Sequence, residues 1–356
     1  MGWARYGRVL ALTAGAALST AVALIATMNP YGNLPLRSSG PHPMMDSNRR
    51  FQLAAQLRDP AFDSVVIGTS TSMLLDPAEL DRHLGGRFLN AAMENSRAWE
   101  EYRAGLLFVR TPRAGSTLLV GLDAVWCMSD ADDNRVTERG FPDWLYDEDR
   151  WNDLPRMLNS KALEVAMLMA LHRLGLLAPR LAANGLEVFT PPEDEYDARK
   201  AAQHIWRNRK RDTVPVEPPV MPSARQRASW QFPALGWLDE LLAASPASGR
   251  RVLAFMPVHV AAQPVPGSLA AAREQECKDR IRTIAERHGA HVIDFRISSQ
   301  VTREDDNYWD SLHYRVTIAT RIAEGIAAAL ATRTDDPNGF WRYVTGPART
   351  AVSSRP

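Results

Sequence analysis

A chain of 356 residues with 45% hydrophobic and 23% charged content can bury a substantial core, which excludes an intrinsically disordered protein. Its 42 basic and 41 acidic side chains leave a formal net charge of +1, so no long-range field draws it to nucleic acid or to an anionic membrane surface. The 2 cysteines, Cys127 and Cys277, are too few for a thiolate metal site and stand either as two buried thiols or as one disulfide.

From Val9 to Met28 the chain runs without a charge, and at about 1.5 Å per residue a helix of that length crosses ~30 Å of hydrocarbon. Arg5 and Arg8 precede it, so the positive-inside rule predicts a cytoplasmic N-terminus and sends everything after Met28 across the membrane. A cleaved signal peptide is the competing reading, but its best A-x-A site, Ala21-Val22-Ala23, is followed by further apolar residues. Residues 1–28 therefore read as a short cytoplasmic stub and a single-pass anchor. Asn29-Pro30-Tyr31-Gly32-Asn33 stops the helix, and residues 29–44 read as a linker out of the membrane.

The main domain is expected over 45–334. Short apolar runs bounded by breakers predict strands at Ser64–Ile67, Arg87–Asn90, Ser116–Leu122, Arg251–Val258 and His291–Phe295. Asp76-Pro77-Ala78-Glu79 supplies an N-cap, a proline at the first helical position and an early acid, so a helix starts there. Trp99, Tyr102 and Leu106 recur at helical spacing, Leu269 to Arg287 is a charged amphipathic helix, and Ile318, Ile322, Ile326 and Leu330 form the apolar stripe of a last one. Strands alternating with helices predict an α/β domain with a parallel sheet covered on both faces. Between about 129 and 245 the alternation is interrupted by an insertion too long for one crossover, expected as a lid or a docking surface. It mixes Trp144, Tyr146 and Trp151 with acids and carries the basic run Arg207-Asn208-Arg209-Lys210-Arg211, which suits an anionic glycan or lipid headgroup or forms a solvated helix face. Residues 335–356 read as a tail anchored by Phe340, Trp341 and Tyr343.

In open α/β sheets ligands bind beyond the carboxyl ends of strands. There the first strand ends in Gly68-Thr69-Ser70, and Asp310-Ser311-Leu312-His313 stands near the far end of the chain. A serine hydroxyl needs a base to take its proton, and an acid three residues before a histidine is close enough to hold the imidazole tautomer. Ser70, His313 and Asp310 are thus the candidate nucleophile, base and orienter, with Ser72 a competitor for the reactive hydroxyl. His259, just past the fourth strand, either meets substrate or bonds local backbone, and Tyr308 and Trp309 pack the loop. Gly-rich phosphate loops, His-x-x-x-His pairs and Gly-x-Ser-x-Gly are absent, so no cofactor, metal or nucleic acid is expected.

These blocks resemble the SGNH or GDSL hydrolases, and within them a membrane-anchored envelope branch that includes alginate O-acetyltransferase-like proteins. Gly68-Thr69-Ser70 stands where that family has Gly-Asp-Ser, Asp310 to His313 matches its Asp-x-x-His block, and Asn29-Pro30-Tyr31-Gly32 is similar to the segment after the anchor in the envelope branch. The resemblance covers about Asp63 to Thr332. It implies a three-layer α/β/α sandwich with a mostly parallel, flavodoxin-like sheet. It also implies a Ser-His-Asp esterase or O-acyltransferase working on acetyl esters of an envelope polysaccharide or on small esters. Thr69, Asn95, Asp123 and His259 are the candidate oxyanion or substrate-binding residues. Two positions depart from the pattern: Asn95 stands in place of a glycine, and Gly121-Leu122-Asp123-Ala124 replaces an asparagine donor by a carboxylate, which when ionised only accepts hydrogen bonds. Either Asn95 substitutes as the donor, or Asp123 is protonated, or Asp123 orients something else. The departures motivate a second expectation, a domain without chemistry that binds a glycan or serves as the scaffold of an envelope assembly.

Overall fold

The computed structural model of the chain describes residues 2–34, 42–46, 48–111, 115–151, 153–207 and 214–345. Among them are twelve α-helices and one six-stranded sheet. The chain opens with α1 (Trp3–Met28) and α2 (Arg50–Leu57). Strand β1 (Ser64–Ile67) leads into the one-turn helix α3 (Ser70–Met73), then α4 (Pro77–Leu84) and β2 (Phe88–Asn90). Helix α5 (Ala98–Arg110) precedes β3 (Thr117–Leu122), after which come α6 (Ser160–Arg173), α7 (Ala198–Trp206), α8 (Ala224–Ser229) and α9 (Ala234–Ala244). The chain continues through β4 (Arg250–Phe255), α10 (Leu269–His288), β5 (His291–Asp294), α11 (Gln300–Arg303), α12 (Val316–Thr332) and β6 (Arg342–Thr345). Two compact units result, one from Met1–Asp59 and Phe141–Ala183, the other from Pro60–Gly140 and Asn184–Pro356.

The larger unit holds the sheet, in the order β2-β1-β3-β4-β5-β6. The first five strands are parallel and β6 runs antiparallel to β5. β1 and β3 are buried at every position, the continuous apolar run of an interior parallel strand. The five expected strands are present. The sixth comes from the stretch read as a tail: Phe340 and Trp341 pack on Phe295 at ring distances of 5.1 and 5.9 Å and carry Arg342–Thr345 alongside β5. The carboxylate of Asp76 caps α4 by accepting from the Ala78 N–H at 2.9 Å. Helices α5, α9 and α10 pack together, and α4 packs on α12. The predicted stripe Ile318, Ile322 and Ile326 of α12 meets Val66, Leu119, Val252 and Ile293 in the core. Cys127 and Cys277, left open between thiols and a disulfide, are joined, tying the 3-10 turn Ala124–Cys127 to α10.

The smaller unit contains α1, α2 and α6. Residues 29–34, expected as part of a linker, are folded into it. Asn29 ends α1 with a positive φ of 49°, its side-chain amide donates to the Leu34 carbonyl, and its oxygen accepts from the Leu34 N–H, both at 3.0 Å. Tyr31 is fully buried with its ring 5.8 Å from Phe51 and 5.9 Å from Trp144. Asn33 donates to Asp153 at 2.6 Å and accepts from Arg58 at 2.9 Å. Trp144 and Asp153, from the insertion expected as a lid or a docking surface, are thus packed and bonded against Tyr31 and Asn33. Spacing alone does not tell a ring that closes a pocket from one that waits for a partner. By length and composition α1 can cross a membrane.

Candidate active site

Ser70 opens α3 directly beyond β1, so its hydroxyl stands at the carboxyl edge of the sheet, beside the point where the strand order reverses. The turn that lifts it is tight because Ser72 tucks beneath. A Cβ on Gly68 or on Gly121 would collide with Ser72 Oγ, so both positions require glycine and the Ser72 side chain is fully buried. Ser72 is therefore not the exposed hydroxyl.

Ser70 Oγ lies 2.9 Å from His313 Nε2, although the residues are 243 positions apart. His313 Nδ1 lies 2.7 Å from Asp310 Oδ2, and Asp310 Oδ1 accepts from the Leu312 and His313 N–H groups at 2.7 and 2.9 Å. A carboxylate only accepts, so Nδ1 carries the imidazole proton and Nε2 offers its lone pair to the serine hydroxyl. Burial works against ionisation of Asp310, but its bond to His313 and the two amides outweigh it and hold the carboxyl below its ordinary range.

The loop carrying His313 is braced from several sides. Tyr308 and Tyr314 form an antiparallel bridge, and the Trp309 N–H donates to the His313 carbonyl at 2.8 Å. The hydroxyl of the buried Tyr314 donates to the Thr71 carbonyl, joining the histidine loop to the serine turn. From the second half of the expected insertion, Tyr196 donates to the Tyr308 carbonyl at 3.1 Å and Trp206 Nε1 to Asp305 at 2.9 Å. Phe189 meets the His313 ring edge to face at 5.1 Å. Residues 208–211 of the basic run lie outside the described residues.

His259 is fully buried. Its Nδ1 accepts from the Ala261 N–H at 3.1 Å, which leaves the proton on Nε2, 3.2 Å from the Asp305 carboxylate. Its own N–H donates to the Ser311 carbonyl at 3.0 Å. His259 thus bonds local backbone and braces the loop that carries His313.

Asn95 adopts φ of 51°, the left-handed region that asparagine tolerates better than most side chains. Its turn is fixed against the serine turn because the Gly68 carbonyl accepts from the Met93 N–H at 2.9 Å and lies 3.2 Å from Ser96 Oγ. Among the described residues the N–H groups of Ser70 and Asn95 have no hydrogen-bond acceptor. Asp123 is not turned to free use: Thr69 Oγ1 donates to its Oδ2 and the Val125 N–H to its Oδ1 at 3.1 Å. Thr69 accepts in turn from the Thr71 N–H, so its hydroxyl belongs to the turn. Burial pushes the Asp123 carboxyl above its ordinary range against these lowering bonds. Asp123 also lines a cavity of about 190 Å³, walled by Phe232, Phe255 and Pro264 and edged by Arg273 and Arg296.

Three supports escaped the sequence reading. Asn90, at the end of β2, directs its amide at the carbonyls of Ser72, Met73 and Leu75, 2.8 to 3.1 Å away, and so fixes the serine turn. Its signal was a polar residue ending a buried strand. Tyr314 directly follows the candidate histidine. Glu101, fully buried on α5, accepts from Trp126 Nε1 at 2.8 Å and stands 2.9 Å from Ser96 Oγ. Burial, with Asp123 adding to it, pushes Glu101 well above the carboxylate range.

No protein-family model matches this chain, and no curated protein matches it.

Proposed function

We propose that the larger unit is a serine-dependent ester hydrolase or O-acyltransferase of the SGNH kind. The observation that carries this reading is the continuous chain Ser70 Oγ to His313 Nε2 to Asp310, at 2.9 and 2.7 Å. In this reading Ser70 Oγ attacks the ester carbonyl while His313 Nε2 takes the hydroxyl proton. Collapse of the tetrahedral adduct breaks the acyl C–O bond, and His313 gives the proton to the leaving oxygen, leaving an acyl-Ser70. Water or a sugar hydroxyl then loses a proton to His313 and attacks that acyl group; proton return frees Ser70 and releases the acid or a new ester. The N–H groups of Ser70 and Asn95 face the developing oxyanion. Asp123 acts through Thr69 to hold the turn.

The helix groups α5–α9–α10 and α4–α12 support the finer reading of a three-layer α/β/α sandwich with flavodoxin-like strand order. Arg5 and Arg8 before α1, together with the Cys127–Cys277 disulfide, favour a single-pass inner-membrane protein with its main domain in the oxidising periplasm. That placement and the resemblance to envelope O-acetyltransferase-like proteins make an acylated glycan the preferred substrate. One observation favours the second reading, a glycan-binding or scaffold domain without chemistry: where the resemblance implies an asparagine donor the chain has Asp123, a carboxylate engaged by Thr69 and Val125.

Labelling by a fluorophosphonate and turnover of p-nitrophenyl acetate separate the two. Wild type is expected to react, and Ser70→Ala or His313→Ala to lose about 10⁴-fold or more of turnover. A wild type that stays unlabelled beside a reacting control esterase, or a Ser70→Ala variant that labels equally well, refutes the catalytic reading.

A further inference from the structure

Within the smaller unit α6 lies against the end of α1. From Trp3 to Thr20 helix α1 is exposed all round, whereas Ala21, Leu24, Ile25 and Met28, one face of its last two turns, are covered. Met28 packs with Leu168 on the cluster of Met45, Val165 and Met169. The uncharged run from Val9 to Met28 supplies about 30 Å of helix, so all of it is needed to cross a bilayer core of that thickness. The hydrocarbon boundary then falls near Met28, and Ala21 lies about 10 Å beneath it. A helix lying along Ala21–Met28 shares that depth.

The other side of α6 suits such a place. Its inward face, Ala162, Val165, Ala166 and Met169, is buried. Its outward face carries Met167, Leu171 and Leu174 at helical spacing, and the turn beyond adds Leu176 and Leu177. Leu174 and Leu176 are 71% and 70% exposed, a concentration of bare leucines that water disfavours. Arg173 and Arg180 flank them in exposed positions. Lys161 and the exposed Glu164 keep the first turns of the helix polar, so it is the C-terminal half that is apolar on both faces, a pattern otherwise found fully buried.

We propose that α6 and the turn through Leu177 lie in the interfacial layer of the leaflet on the Met28 side of α1. Met167, Leu171, Leu174 and Leu176 enter the acyl chains, and Arg173 and Arg180 stand at the level of the lipid phosphates. The inference rests on reading α1 as a membrane span and is independent of the ester chemistry. Its occupant is the lipid bilayer itself, fixed by the packing of α6 on the helix that crosses it.

The test uses the full chain in phosphatidylcholine–phosphatidylglycerol vesicles. The native cysteines are joined, so single cysteines introduced by Leu18→Cys, Leu174→Cys and Leu176→Cys accept an environment-sensitive NBD label selectively. These three positions are exposed, so the substitutions remove no core packing. At 174 and 176, quenching by lipids carrying a shallow acyl-chain nitroxide and at least threefold protection from aqueous iodide, relative to free label, are expected; at 18 the deep nitroxide quenches best. Labels at 174 and 176 that iodide quenches like free dye, with 18 in lipid, overturn the placement of α6 and leave the anchor standing. A water-exposed label at 18 overturns both.

Discussion

Ser96 has one hydroxyl hydrogen and two acceptors within reach, the Gly68 carbonyl at 3.2 Å and Glu101 Oε1 at 2.9 Å. Both contacts are satisfied when Glu101 is protonated and donates to Ser96 Oγ, which then donates to Gly68. Burial raises Glu101 in the same direction, with the nearby carboxylates of Asp123 and Glu100 adding to it. An acid whose folded value lies above its unfolded one contributes stability at low pH and loses it as pH rises through the folded value. Glu101→Gln places a permanent donor opposite Ser96 and still accepts from Trp126. The variant is expected to match wild type in thermal unfolding near pH 5 and to exceed it near pH 9, since ionisation strands a buried contact worth about 1–3 kcal/mol. A difference between the two proteins that does not change with pH would show that Glu101 does not titrate there. At Asp123 the carboxylate offers no hydrogen to an oxyanion. Asp123→Asn keeps an oxygen for Val125 but sets an N–H group where the Thr69 hydroxyl now donates, so the bond that holds the serine turn is lost and kcat on a p-nitrophenyl ester is expected to fall about tenfold with little change in KM. A rise in kcat would show that the new amide serves the oxyanion and that the bond to Thr69 is dispensable.

At the scale of elements, the site is a meeting of two turns. The Asp-x-x-His spacing already brings Asp310 to His313 because three residues close on themselves through the Leu312 and His313 amides. What joins this loop to the serine turn is Tyr314 on Thr71, while Asn90 holds the serine turn from β2. Tyr314→Phe deletes one hydrogen bond and leaves the ring in place. It is expected to cost about 1 kcal/mol of stability in urea unfolding and to lower kcat more than it raises KM, because the histidine drifts relative to Ser70. Asn90→Ala abandons several buried carbonyls and is expected to cost about 2–3 kcal/mol. The glycines that admit Ser72 explain why two serines that look alike in sequence differ: Ser72 is enclosed by backbone from β1 and β3, and Ser70 is not. That enclosure depends on neighbouring strands and is not written in the local motif.

At the scale of the whole molecule, the disulfide closes a separation of 150 residues and ties the turn after Asp123 to α10. By the loop-entropy account such a closure is worth roughly 5 kcal/mol. Reduction, or the pair Cys127→Ser with Cys277→Ser, is expected to lower the unfolding midpoint of the full chain clearly. An unchanged midpoint would mean that the bridge does not form in the protein as made.

The sequence by itself determined the features that depend on neighbours along the chain. These are the length and polarity of α1, the five apolar parallel strands, the cap of α4, the stripe of α12 and the two short motifs bearing Ser70, Asp310 and His313. Each is set by spacing within a few residues, which hydrophobic period and turn chemistry report directly. Tertiary structure alone decided which distant groups meet. Cys127 joins Cys277, the segment after α1 folds around Tyr31, the C-terminal stretch adds a strand, and His259 turns to Asp305. The interrupted region divides, Phe141–Ala183 belonging to the smaller unit while Tyr196 and Trp206 brace the histidine loop. Side-chain type records that a group must be buried or bonded, but its partner is fixed only when chain closure brings the two surfaces together.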